Sequence, residues 1–128
     1  MKLSIQSDQI PKAVGPYSQA IRMGNMIFCA GQIPIDPQSG ELVSDEIRAQ
    51  TEQVIKNIKS ILDAAGLSIA NVVKSTIFLT DLADFAVVNE IYASHFSAPF
   101  PARSTVQVAG LPKGAKVEIE VIAMEGAL

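Results

Sequence analysis

Between Asp45 and Ala65 the chain returns an apolar or small residue to one side at helical spacing: Ile47, Thr51, Val54, Ile55, Ile58, Ile61, Leu62 and Ala65. This predicts a helix over residues 45–65 with one buried face, and a single apolar stripe needs a second layer to cover it. Ser44 stands where a cap belongs, Asp45 and Glu46 suit the N-terminal dipole, and Gly66 supplies the stop. The flanking segments supply the layer. Residues 18–31 read as a β-hairpin, with Ser18–Arg22 and Met26–Ala30 flanking Gly24-Asn25, and glycine at the first central position suits a type II′ turn. Asp36-Pro37 and Gly40 mark a turn beyond it. Downstream, Asn71–Leu79 is a strand rich in β-branched residues. A second helix is expected from about Asp84 to Phe96, with Phe85, Val88, Tyr92 and Phe96 on its buried face and Pro99 and Pro101 forbidding continuation. Two further strands lie near 103–109 and 116–125, and residues 2–5 offer a short one.

The resulting order, β-β-α-β-α-β-β, is an α+β arrangement in one domain over residues 1–128, a length that fits one core. Two helices cover one face of the sheet and leave the other open. With 48% hydrophobic residues and a mean hydropathy of +0.29, the chain is expected to bury that open face against another copy of itself. No apolar stretch is long enough to span a bilayer, and the start lacks the apolar core of a signal peptide, so the cytoplasm is the expected location. Cys29 is alone, which excludes an internal disulfide. A net charge of −3 and a pI near 5.0 give no basic footprint, so neither nucleic acid nor membrane is an expected partner.

Chemistry concentrates near the C-terminus. Arg103, in Phe100-Pro101-Ala102-Arg103-Ser104-Thr105, presents a rigid fork of donors that fits a carboxylate two bonds at a time. If Gly110–Gly114 is a tight turn, the strand bearing Glu118 returns antiparallel beside it, placing the two within a residue or two of register. Spacing alone favours an ordinary surface ion pair over a ligand clamp. Glu118 and Glu120 share a strand face opposite Val117, Ile119 and Val121. Tyr17 either closes a pocket or packs at a rim, and Gly31 either lets a ligand approach the backbone or forms a strand-end bulge. Asn89 reads as a helix-surface amide, Cys29 as a buried small hydrophobe, and His95 as a residue near a helix end. One histidine and one cysteine cannot make a typical zinc site; no nucleophile elbow, P-loop or dinucleotide fingerprint is present.

Taken in order, Gly15-Pro16-Tyr17-Ser18-Gln19-Ala20, Gly24-Asn25, Gly31-Gln32-Ile33-Pro34, Val87-Val88-Asn89-Glu90-Ile91-Tyr92, Phe100–Thr105 and Val117–Glu120 resemble the blocks of the RidA/YjgF/UK114 family of reactive-intermediate deaminases. The resemblance covers nearly the whole chain. It implies a chorismate-mutase-like fold, a homotrimer with interfacial clefts, and cofactor-free, metal-free hydrolysis of 2-imino acids and their enamine tautomers to 2-keto acids and ammonia. It also implies that Arg103 binds the substrate carboxylate and that Glu118 directs the attacking water. Tyr17, Gly31 and Asn89 match other pocket positions, and Thr105 lies beside the ligand. Many relatives carry cysteine where this chain has Thr105, so thiol chemistry at that position does not transfer. The segment before Phe100 is also short for the family. Two other functions compete: a non-catalytic module that binds small keto or amino acids with the same arginine, and an endoribonuclease or translation inhibitor. The acidic pI and the scattered lysines argue against the second.

Overall fold

The computed structural model describes residues 1–126. Its elements are β1 (Lys2–Ile5), β2 (Ala20–Met23), β3 (Met26–Gln32), α1 (Ile47–Ala64), β4 (Val72–Leu79), α2 (Phe85–His95), β5 (Ala102–Gln107) and β6 (Val117–Met124). The strands form one mixed sheet in the order β1-β2-β3-β6-β4-β5. Among the described residues only β4 and β5 pair in parallel. Both helices lie on one face, as the alternation of elements predicts.

Local sequence chemistry explains most of these elements. Met23 faces Met26 across a two-residue turn in which Gly24 has φ +61° and Asn25 does not enter the left-handed region, as a type II′ turn requires. The apolar stripe of α1 is fully buried at Val54, Ile55, Ile58, Ile61 and Leu62. Truncating any one of these to alanine removes about 2–5 kcal/mol. The helix starts later than expected. Its N-cap position is Glu46, which makes no side-chain cap, and Ser44 Oγ instead accepts the Glu46 N–H at 3.0 Å. Asp45 and Glu46 therefore precede the first turn rather than lying in it. The early loop wins because the Gln50 amide, inside α1, donates to the Ser44 carbonyl at 2.8 Å and holds that segment in place.

The largest departure concerns β5 and β6. They are not a hairpin. β6 inserts between β3 and β4, while β5 lies outside β4 and parallel to it. The segment expected as a tight turn holds a short 3₁₀ helix, Pro112–Gly114, and crosses the end of β4. Burial gives the reason: Val117, Ile119, Val121 and Ala123 are at most 2% exposed, so β6 belongs in the middle of the sheet. β5 buries far less and carries Ser104 and Gln107, as befits an edge.

Paired residues on neighbouring strands point to the same face. The helix-covered face thus includes Ser75 and Val121, both buried. The opposite face carries Phe28 and Val106, which are 41% and 42% exposed, together with Phe78 and Ile122. This is the face left open by two helices on one side, and it mixes these apolar side chains with Lys74, Ser104, Glu118 and Glu120.

Candidate functional site

The register separates the two residues that the sequence places together. Arg103 stands opposite Ser75, and Ser75 opposite Val121, so Arg103 points to the helix-covered face. Glu118 stands opposite Phe78, and Phe78 opposite Val106, so Glu118 points to the open face. With β4 between their strands, the two side chains diverge from opposite sides of one sheet. The expected cross-strand pairing is therefore wrong, and so is the ordinary ion pair: among the described residues, neither Arg103 nor Glu118 enters a salt bridge.

Each residue has its own cleft. Arg103 lines one of about 410 Å³ with Asn89, Tyr92, Ala93, Phe100 and Pro101. Its guanidinium carbon lies over the Tyr92 ring, 4.9 Å from the centroid, and 5.6 Å from that of Phe85. Asn89, one turn from Tyr92 on α2, is an exposed helix residue that lines this cleft. Thr105, two residues beyond Arg103, faces the same side, and its buried hydroxyl oxygen has no partner among the described residues.

Glu118 lines a second cleft of about 600 Å³ together with Tyr17, Gly31, Gln32, Ile33 and Lys113. Gly31 lies in a bulge, because Ala30 and Gly31 together oppose Glu120 between the Cys29–Val121 and Gln32–Ile119 pairs. Of the two sequence readings of this glycine, the bulge is the one observed, and the space beside its backbone is taken by a side chain. What approaches is the Glu118 side chain, since a Cβ on residue 31 would stand 2.9 Å from the Glu118 carboxyl carbon. Burial, and secondarily the negative charge of Glu120, push the Glu118 carboxyl above the ordinary glutamate range. Tyr17 is 54% exposed at the rim, where its hydroxyl accepts the Val14 N–H at 3.4 Å.

Sequence reasoning missed what builds this second cleft. Three buried amides hold its walls. Gln19 accepts the Ser7 N–H at 2.7 Å and donates to the Pro11 carbonyl at 2.9 Å, fastening the segment that leads to Tyr17. Asn57 donates to the Ile35 carbonyl at 3.1 Å, fixing the loop that leaves β3. Gln50 accepts the Lys116 N–H at 2.8 Å just before β6. The available signal was an amide inside the apolar stripe of α1, at Gln50 and Asn57, where a solvated residue has no place.

The remaining candidates stay apart from both clefts. Cys29 is buried, and burial pushes its thiol up to about 12, so it is an inert hydrophobe. His95 lies between Glu52, 2.6 Å from Nε2, and Lys59, 2.8 Å from Nδ1. Lys116 donates to the Asp45 carbonyl at 2.6 Å and pairs with no glutamate among the described residues.

The family model described as endoribonuclease L-PSP matches residues 7–125. The chain is 48% identical to the human 2-iminobutanoate/2-iminopropanoate deaminase over 124 residues, which is 97% of this chain and 90% of that protein. It is 47% identical over 130 residues to the putative reactive intermediate deaminase TdcF of Escherichia coli, covering 99% of this chain and all of that one. The fold matches the crystal structure of E. coli TdcF with bound serine at a TM-score of 0.89 and 44% identity, over 97% of this chain and 99% of that chain.

Proposed function

Because the chain belongs to the RidA/YjgF/UK114 family, we propose that it hydrolyses 2-iminopropanoate, its enamine tautomer 2-aminoacrylate, and 2-iminobutanoate to the 2-keto acids and ammonia. The observation that carries this reading is an Arg103 fork that faces a cleft and meets no carboxylate among the described residues. In this reading Arg103 takes the substrate carboxylate in a bidentate pair and orients C2. Glu118 accepts a proton from water as its oxygen adds to C2 of the iminium, giving a carbinolamine. The same carboxyl then returns the proton to nitrogen, the C–N bond breaks, and the hydroxyl proton leaves to solvent as the keto group forms. A carboxyl held above its ordinary range suits such a two-way proton carrier. Thr105 and Asn89 serve the ligand beside Arg103, and Tyr17 and Gly31 serve it beside Glu118.

No three- or four-carbon acid reaches around a sheet from one face to the other. The reading therefore requires that Arg103, Asn89 and Thr105 of one subunit meet Glu118, Gly31 and Tyr17 of the next, and the family resemblance implies that this oligomer is a homotrimer. The open face with Phe28 and Val106 and the β5 edge are the surfaces available for that contact. Serine bound to E. coli TdcF supports a small amino-acid-like ligand. A polyanion such as RNA fits less well, because the net charge is −3 and Glu120 stands beside Glu118. The same reading places the protein in the cytoplasm, beside the pyridoxal-phosphate-dependent dehydratases that release such imines.

The test is complementation. Keto-acid release from a threonine dehydratase reaction is measured with semicarbazide present to trap free imine. Arg103→Ala and Glu118→Gln are each expected to abolish the acceleration, and Glu118→Gln is expected still to bind 2-oxobutanoate. Coexpressed in equal amounts, the two variants are expected to recover about a quarter of the activity, the fraction of interfaces that unite both intact halves in a cyclic oligomer. No recovery from mixed oligomers would sink the shared site. No acceleration by the folded wild type would leave the binding module as the better reading.

A further inference from the structure

We propose that Tyr92 and Phe85 are positioning residues that hold the Arg103 guanidinium in one plane, and that Ser75 tethers the shelf on which it lies. This rests on the reading of Arg103 as the carboxylate clamp. An arginine side chain is long and flexible, and a clamp works best if its fork is aimed before the ligand arrives. The usual device is a neighbouring carboxylate, which would occupy the very donors the substrate needs. Among the described residues no carboxylate forms a salt bridge with Arg103. Two aromatic rings lie against it instead, at 4.9 Å and 5.6 Å. Rings attract a guanidinium through its flat faces and leave its N–H edges unused.

The shelf is itself fixed. Tyr92 is 3% exposed and stacks on Phe96 with centroids 4.0 Å apart and planes 11° from parallel. Its hydroxyl and the Ser75 hydroxyl share a buried hydrogen bond of 2.7 Å. Ser75 is also the residue directly opposite Arg103 on β4, so one serine sets the ring and its backbone neighbours the arginine. Phe85 explains itself in the same way. It was expected in the core of α2, yet it is 37% exposed and closes over the guanidinium.

The experiment compares Tyr92→Leu, Tyr92→Phe and Phe85→Leu with the wild type. The Arg103 side-chain protons are expected to show a ring-current upfield shift by NMR that shrinks in both leucine variants and persists in Tyr92→Phe. KM and the Kd for 2-oxobutanoate are expected to rise about tenfold in Tyr92→Leu and about threefold in Phe85→Leu, with kcat within twofold. Tyr92→Phe is expected to restore most of that loss. If buried Tyr92→Leu does not fold, Phe85→Leu, at an exposed position, carries the test. Folded leucine variants with unchanged Kd and unchanged Arg103 shifts overturn the proposal. Should Arg103→Ala bind 2-oxobutanoate as tightly as the wild type, the clamp reading fails, and the Arg103 chemical shifts then decide the shelf by themselves.

Discussion

The two clefts are built by different physics. Around Arg103 the construction is aromatic: a cation is held against ring faces, on a helix whose hydroxyl tether reaches into the core. Around Glu118 it is polar: a carboxyl lies over a glycine, between loops fastened by Gln19, Gln50 and Asn57. The difference matches the roles proposed for each charge. A binding cation benefits from staying charged and aimed, and ring faces provide that at little desolvation cost. A proton carrier benefits from a strained ionisation, which burial beside a second carboxylate provides.

If the two halves are separable, changes in one should leave the other intact. The largest effect is expected from Gly31→Ala, whose added methyl overlaps the Glu118 carboxyl. It should lower kcat by about a hundredfold or more while 2-oxobutanoate binding at Arg103 changes only a few-fold; loss of binding in parallel would merge the halves. Gln19→Leu should come next. It strands the Ser7 N–H and the Pro11 carbonyl, costing about 2 kcal/mol and visible as a lower Tm with unchanged Arg103 chemical shifts.

Glu120→Gln should act more gently and on pH alone. It removes one cause of the raised Glu118 ionisation, so the acid limb of the kcat–pH profile should move to lower pH. The linked effect on folding has a definite sign. A carboxyl raised in the folded state favours folding below its ordinary range and loses that contribution as pH climbs through the raised value. Glu118→Gln should therefore be slightly more stable than the wild type at neutral pH while inactive. The smallest effect is expected from Thr105→Val. Because the hydroxyl has no partner among the described residues, Tm should hold or rise slightly, while a few-fold rise in KM would show that the hydroxyl serves the ligand.

Local rules carried the sequence reading a long way. Helical spacing found α1, Gly24 found the turn, and alternation put Glu118 opposite the buried face of β6. What failed was partnership. Nothing near Gly110–Gly114 announces that β6 pairs with β4 instead of β5, because that choice is decided by core burial far along the chain. The partial signal was the contrast between an apolar β6 and a polar β5, which marks centre and edge. The same error hid the placement of Arg103 and Glu118 on opposite faces. The residues proposed for it were legible from their motifs, but the faces they occupy depend on register, and a side chain changes face with every step. Phe85 was misplaced for a related reason: helical spacing places a residue on a face and says nothing of the cation that waits there.

The last of the described strands is the one that joins the sheet, since β6 lies between β3 and β4. Until residues 117–124 are synthesised, the β1–β3 meander and the β4–β5 pair have no strand between them, and α1 lacks much of the surface it covers. The sheet can therefore close only once β6 has been made and has threaded between them, so its central pairings are non-local and form late. A chain interrupted before Val117 would hold two unjoined pieces of sheet, each with an uncovered edge where β6 belongs.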